Sequence, residues 1–221
     1  MFIAADQVIA DLGLLANGGY LLLLLFALRH ADWRRLWRPD QLNLYLVACL
    51  ALIGLWSLRA GVSPGLALHY LGVTAFTLLF GWGLAIVGTS AALVGMLLLW
   101  GGDWGAFAIN ALVVGATPVL VTLGVHHLAR RYLPAHFFIY LYINVFLAAA
   151  LAILVSVLLV AALLTLSGAY SLPRMGYEYL AYLPLLVLPE AILNGMLMTA
   201  FVVLKPDVVA TFDDDFYLKN R

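Results

Sequence analysis

The sequence predicts an all-α membrane protein, a polytopic helical bundle of about seven transmembrane helices, with its N-terminus outside and its C-terminus cytoplasmic. Three observations predict this fold class. Hydrophobic residues make up 66% of the 221 residues, against roughly 45–50% in a soluble domain. Only 10% are charged, and apolar stretches near the roughly 20 residues of a spanning helix recur along the chain. The formal net charge is zero, so nothing favours nucleic acid as a partner.

Seven apolar segments can be distinguished, two of them within one long stretch. Residues 65–100 are interrupted only by Gly81-Trp82-Gly83. A single helix of about 36 residues would be roughly 54 Å long, against a hydrocarbon core of roughly 30 Å. We therefore expect two helices joined at this glycine break. The predicted spans are residues 9–28, 41–58, 65–80, 83–100, 105–126, 136–166 and 178–204.

The distribution of arginine and lysine supports seven spans. With that number, one side of the membrane receives nine basic residues and the other only two, Arg59 and Arg174. Such an excess is typical of the cytoplasmic side and places the C-terminus there. With six spans, Arg130 and Arg131 would change sides and the bias would weaken. The nine are Arg29, Arg34, Arg35, Arg38, Arg130, Arg131, Lys205, Lys219 and Arg221.

The chain has no linker and no change of composition, so we expect one membrane domain, residues 1–221. A short external segment, residues 1–8, precedes the first span. A cytoplasmic tail, residues 205–221, carries the acidic run Asp213-Asp214-Asp215, which we expect to be a solvated end. Tryptophan favours the membrane interface, and six tryptophans fall at or just beyond the predicted span ends: Trp33, Trp37, Trp56, Trp82, Trp100 and Trp104.

Polar groups inside the spans are the candidate functional residues, because they are costly in hydrocarbon. His69 lies five residues after Pro64, roughly 7–8 Å below the outer end of the third span. Asn110 lies at a similar depth, seven residues after Asp103 in an external turn. These three residues could form a small polar pocket that opens outward. His69 could bind a transition metal, for which imidazole is a common ligand, or form a structural hydrogen bond, and Asn110 could instead bridge two helices.

Glu190 is the only acid deep inside a predicted span. Pro184 and Pro189 precede it, and Asn194 follows one helical turn later. Prolines loosen a helix and free backbone carbonyls. The carboxyl group could therefore relay or bind an ion as part of the substrate pocket, or it could be a structural group that neighbouring helices satisfy.

Signatures of soluble enzymes are missing from the sequence. The chain has no Gly-rich phosphate loop ending in Gly-Lys-Ser/Thr, so it does not itself hydrolyse ATP, and it has no HExxH or CxxC motif. Ser90 follows Gly88-Thr89 but lacks the second glycine of a nucleophile elbow and a histidine at matching depth in a later span. We expect no enzymatic activity and no permanently bound cofactor.

Several short stretches resemble the CbiM/NikM family. His69-Tyr70-Leu71-Gly72, continuing through Leu78-Leu79-Phe80-Gly81-Trp82, is similar to the family's HLLG…LLGPW stretch. Gly101-Gly102-Asp103, followed by the run from Asn110 to Gly115, resembles another of its motifs. Pro189-Glu190 and the exit at Lys205-Pro206-Asp207 look like the family's ending. The resemblance covers roughly residues 64–207.

The resemblance implies a membrane permease that captures substrate for an energy-coupling-factor ABC importer, with a transition-metal ion such as cobalt or nickel as the substrate. It implies a multi-pass protein of the cell inner (plasma) membrane, in contact with lipid. It also implies a transmembrane coupling protein and cytoplasmic ATPase subunits as partners. The alternative is a non-transporting membrane subunit or assembly factor that reuses the fold without binding metal.

The family's metal ligands map only in part onto this chain. They are the free N-terminal amine, a histidine at the second position and the histidine of the HLLG-like motif, which corresponds to His69. The second position is Phe2 here, and the family's Gly-Ala-Asn reads Gly105-Ala106-Phe107. We therefore expect His69 to be the central ligand or gate, with Asn110 and Asp103 in secondary roles and Glu190 in a supporting one.

Overall fold

The computed structural model describes residues 2–63, 66–213 and 216–217 and consists of helices with one β-hairpin. The helices Trp104–Tyr132 and Phe137–Leu166 each contain a π-helical stretch, Ala111–Ala116 and Tyr140–Leu147 respectively. The short helix Leu172–Glu178 leads through a 3-10 turn into the last helix, Leu183–Leu204. In chain order the elements are α1 (Ala10–His30), α2 (Pro39–Ser57), β1 (Ala60–Ser63), β2 (Leu66–Leu68), α3 (Val73–Phe80), α4 (Trp82–Trp100), α5 (Trp104–Tyr132), α6 (Phe137–Leu166), α7 (Leu172–Glu178) and α8 (Leu183–Leu204).

Six helical stretches among the described residues are long and apolar enough to cross a membrane: α1, α2, α4, α5, α6 and the run Leu172–Leu204. Their outward faces carry large apolar side chains such as Leu14, Leu22 and Leu50, which are 70%, 71% and 66% exposed. A helix that is apolar on every side is typical of a membrane span. The prediction of a multi-pass helical membrane protein is therefore confirmed.

The third predicted span differs from the helix expected over residues 65–80. Its first half is β2 and an extended stretch, and only the eight residues of α3 are helical. An eight-residue helix is about 12 Å long and cannot span a bilayer alone. All eight residues are buried. Non-helical backbone at membrane depth, such as the stretch before α3, is tolerated only where protein shields it from lipid. Pro64 and Gly65 lie outside the described residues.

The two ends of α3 are satisfied by side chains and backbone from the C-terminal part of the chain. At its N-terminal end, the N–H groups of Leu71, Gly72 and Ala75 donate to side chains of α8. At its C-terminal end, the carbonyl oxygens of Leu78 and Leu79 accept hydrogen bonds from the N–H groups of residues 211 and 210, at 3.2 and 3.0 Å. These are the groups that a helix leaves unpaired at its termini.

Contacts between distant elements show that the chain passes seven times between two ends of the bundle. At the first end, here called the tail end, an added Cβ on Gly83 would lie 2.7 Å from the Cα of Ala31. Ala210 donates to Leu79 at that same end. At the other end, called the His69 end, Phe2 stacks on His69. The hairpin, residues 69–72 and α3 together make the third pass. The first span therefore begins at the His69 end, and the last span finishes at the tail end.

One interfacial expectation is wrong. Trp56 is not an interface anchor: it is fully buried, and its indole N–H donates to the carbonyl oxygen of Leu71 at 3.0 Å. In the described part of the tail, Val208, Val209 and Phe212 are buried, whereas Asp213 of the acidic run is exposed. The remaining predicted tail residues, including Asp214, Asp215, Lys219 and Arg221, lie outside the described residues.

The glycine break between α3 and α4 is confirmed at Gly81, which has φ +82° and ψ 166°. This conformation is essentially restricted to glycine and costs other residues about 1–3 kcal/mol. We expect Gly81→Ala to lower the thermal stability of the detergent-solubilised protein accordingly. Gly124→Ala is the matched control, because an added Cβ there meets no atom within 4 Å. Equal melting temperatures for the two variants would contradict this role for Gly81.

Candidate functional site

His69 lies just before α3 at the His69 end, and its ring is almost completely buried. The side chain is 2% exposed. Its Nδ1 atom is 3.0 Å from the carbonyl oxygen of Tyr70, and its Nε2 atom is buried without a hydrogen-bond partner among the described residues. A carbonyl oxygen only accepts hydrogen bonds, so Nδ1 carries the proton and donates to it. The neutral ring then presents an unshared electron pair at Nε2.

This arrangement is chemically that of a metal ligand. A histidine that binds a metal uses one ring nitrogen for the ion and donates the other N–H to a carbonyl or carboxylate. A buried polar atom without a partner is costly. A hydrogen-bond donor or a metal ion at Nε2 would remove that cost. Whether a metal binds there stays a prediction.

Two aromatic side chains enclose the His69 ring. Phe2 stacks on it, with ring centroids 4.8 Å apart and planes at 26°. Trp56 lies at 6.1 Å on a tilted plane. The Phe2 ring therefore occupies the place beside His69 where the family resemblance implies a second histidine. A histidine side chain at position 2 would therefore lie close to His69.

The first residues of the chain enter the bundle instead of extending away from it. Asn110 holds Ile3 from both sides: its Oδ1 accepts from the Ile3 N–H at 2.7 Å, and its Nδ2 donates to the Ile3 carbonyl at 2.8 Å. The Oδ2 atom of Asp103 accepts from the Ala5 N–H at 2.7 Å. Ile3 is 2% exposed. These contacts hold Phe2 against His69.

His69 does not line the same cavity as Asn110 and Asp103 among the described residues. Asn110 and Asp103 line a cavity of about 170 Å³ together with Phe2. His69 lines a separate cleft of about 430 Å³ beside Tyr70. The amide of Asn110 is already engaged on both its atoms, and Asp103 Oδ1 accepts from its own loop at Gly105. Both residues therefore position the N-terminal segment. Of the three residues, His69 is the one with a buried nitrogen whose electron pair has no hydrogen-bond partner among the described residues.

Glu190 lies deep in the bundle, 1% exposed, beneath the loop that carries His69. Its Oε2 accepts from the Leu71 N–H and its Oε1 from the Gly72 N–H, both at 2.8 Å. Asn194 donates from Nδ2 to the same Oε1 at 2.8 Å, and its own Oδ1 accepts from the Ala75 N–H. Glu190 is absent from the lining of both cavities. The structure thus places it as a support of the loop.

Ser90, the serine considered in the sequence, is engaged in structural hydrogen bonds. Its hydroxyl interacts with the hydroxyl of Tyr20 and donates to the carbonyl oxygen of Ile86 one helical turn earlier. Donation to a carbonyl four residues back is common for serine inside a helix.

Two features of the site were missed by sequence reasoning. The pairing of Ile3 with Asn110 and the stacking of Phe2 on His69 join residues 107 and 67 positions apart. The one signal in the sequence was Asn110 itself, because an amide inside an apolar span requires partners. Nothing in the sequence identified the main chain of Ile3 as that partner.

The described residues contain no group of three or more His, Cys, Asp or Glu side chains that could hold a metal ion. Met1 lies outside the described residues.

One comparison with known proteins identifies a family, and another identifies solved structures with a similar fold. The family model described as "Cobalt uptake substrate-specific transmembrane region" (CbiM) matches residues 3–208. A crystal structure of a truncated transition metal transporter is similar, with a TM-score of 0.78 at 16% identity, covering 92% of this chain and 99% of that one. A second transition metal transporter has the same TM-score at 15% identity, covering 92% and 93%. No individually curated protein matches the sequence.

We expect Asn110→Leu to release the N-terminal segment, because both hydrogen bonds to Ile3 are lost and a buried N–H and C=O are left unpaired. Each unpaired group costs about 1–3 kcal/mol. Hydrogen–deuterium exchange of residues 2–7 should accelerate. Asn17→Leu, at an exposed position of α1, is the control and should leave this exchange unchanged. Unaltered protection in Asn110→Leu would show that the segment is held by other contacts.

Proposed function

This chain belongs to the CbiM family of cobalt uptake substrate-specific transmembrane regions and is a permease component for metal uptake, and we propose that it captures a divalent cobalt or nickel ion at His69. The free Nε2 of His69 carries the proposal. It is a buried imidazole nitrogen with its electron pair unused and its ring oriented by a carbonyl. Imidazole suits cobalt and nickel better than magnesium or calcium, which prefer oxygen ligands.

The remaining ligands come from the first residues of the chain in this proposal. Asn110 and Asp103 bind the main chain at Ile3 and Ala5 and thereby hold Phe2 at His69. The family resemblance assigns ligands to the first two residues, and the terminal amine is such a nitrogen donor. With Phe2 in place of a histidine, the ion has one imidazole fewer, and water or a main-chain atom takes that position.

The proposed orientation places the His69 end outside and the tail end in the cytoplasm of a cell inner membrane. The excess of basic residues at the tail end supports this orientation. In the same proposal, transport depends on a transmembrane coupling protein and cytoplasmic ATPase subunits, because the chain has no nucleotide-binding motif of its own.

Isothermal titration of the purified, detergent-solubilised protein with nickel and cobalt chlorides tests the metal site. We expect binding by the unaltered chain and its loss in His69→Ala. The loss should exceed the ~10- to 100-fold that removal of an outer hydrogen-bond partner of a ligand costs. His127→Ala is the control, because His127 is exposed in α5 near the tail end.

Absence of nickel and cobalt binding by the unaltered chain would contradict the proposed capture of these ions. Equal binding by the unaltered protein and His69→Ala would place the ion elsewhere. Co-purification tests the partners separately: recovery with ATPase subunits is expected, and recovery with an unrelated complex would instead indicate an assembly role.

Position 2 offers a gain-of-function test. We expect Phe2→His to tighten nickel binding roughly tenfold or more, equivalent to about 1.4 kcal/mol, because a second imidazole joins His69. Phe2→Leu is the control, since it keeps an apolar side chain without adding a ligand. The same titrations measure both variants. A Phe2→His protein that binds no tighter than Phe2→Leu would contradict a site at the junction of residue 2 and His69.

A further inference from the structure

One peptide group connects Glu190 to His69. The peptide between Tyr70 and Leu71 accepts the His69 Nδ1–H on its carbonyl oxygen at 3.0 Å. The N–H of the same peptide donates to Oε2 of Glu190 at 2.8 Å. Because a peptide group is planar and conjugated, these two hydrogen bonds lie on opposite sides of one rigid, polarisable unit.

The surroundings of Glu190 suit an ionised carboxylate. Its two oxygens accept from three N–H donors, those of Leu71, Gly72 and the Asn194 side chain, all at 2.8 Å. An ionised carboxylate only accepts hydrogen bonds, which matches this set of donors. The N-terminal end of α3 adds a positive partial charge at the same place. A negative charge is therefore stabilised although the side chain is buried.

A carboxylate bound to the N–H side of a peptide strengthens its carbonyl as an acceptor, because hydrogen bonds in a chain polarise one another. The strengthened carbonyl holds the proton of His69 on Nδ1. That leaves Nε2 without a proton, which is the form that binds a metal. Metal-binding histidines commonly obtain this effect from a carboxylate that contacts the ring directly. Here a peptide group stands between the two.

We propose that Glu190 is a positioning residue that acts through the Tyr70–Leu71 peptide to hold His69 with its proton on Nδ1 and its Nε2 free for a divalent transition metal. The proposal rests on the proposed metal site for its functional meaning. It assigns to an acid of α8 a role in metal capture without contact with the ion.

The simpler reading is that Glu190 only caps the N-terminal end of α3. Thr122 allows the two roles to be separated, because its Oγ1 is 2.9 Å from Oγ1 of Thr74 in the first turn of α3, and this hydrogen bond involves neither Glu190 nor the Tyr70–Leu71 peptide. A cap that is merely structural would affect stability alone. A residue that orients His69 would also change the position of the ring proton.

The experiment uses the full chain labelled with nitrogen-15 histidine, with the His69 signals assigned by their loss in His69→Ala. In the metal-free unaltered protein, the spectrum should show Nδ1 protonated and Nε2 unprotonated. In Glu190→Gln, which keeps the shape but removes the charge, a population protonated on Nε2 should appear. Affinity for cobalt or nickel should fall by about tenfold or more, within the ~10- to 100-fold typical of such partners.

Thr122→Val is the control and should lower the melting temperature while leaving the His69 proton on Nδ1. Two results would overturn the proposal: a His69 proton on Nε2 in the unaltered protein, or an unchanged proton position in a folded Glu190→Gln protein. The first measurement needs no variant, so misfolding of Glu190→Gln leaves the test intact. If the proton moves as expected but the unaltered chain binds no cobalt or nickel, the effect of Glu190 on His69 is supported and the proposed substrate is wrong.

Discussion

The structure depends on hydrogen bonds to the unpaired N–H and C=O groups at the two ends of one short helix inside the membrane. Helix α3 is eight residues long and wholly buried, so no water can pair its terminal N–H and C=O groups, each of which costs several kcal/mol if left unpaired in hydrocarbon. Glu190 and Asn194 of α8 accept from its N-terminal end, and the backbone of residues 210 and 211 donates to its C-terminal end. The last helix and the chain that follows it therefore hold α3 at both ends.

That constraint places the candidate metal ligand. His69 stands immediately before α3, in a stretch whose peptide groups are bonded to Glu190 below and Trp56 beside it. Asn110 and Asp103 then bind the main chain of the N-terminal segment and hold Phe2 against His69. These four polar side chains thus orient the backbone, whereas the imidazole Nε2 is a buried nitrogen without a hydrogen-bond partner among the described residues.

Much of the fold could be predicted from the sequence, and most of the site could not. Hydropathy located the spans because a bilayer demands long apolar segments, and the glycines located the break at Gly81. The partners of Glu190 and Asn110 could not be predicted, because they are main-chain groups 119 and 107 positions away, and no periodicity or motif encodes such pairs. For the same reason α3 was predicted as a full span: only tertiary contacts show which part of an apolar stretch stays helical.

X-ray absorption at the cobalt edge, on the protein loaded with one equivalent of cobalt, identifies the ligands of the bound ion. We predict one imidazole in the first coordination shell, together with further nitrogen or oxygen ligands from the N-terminal segment and water. In His69→Ala that imidazole contribution should disappear. A first shell without imidazole in the unaltered protein, or an imidazole signal that persists in His69→Ala, would contradict the assignment of His69 as the ligand.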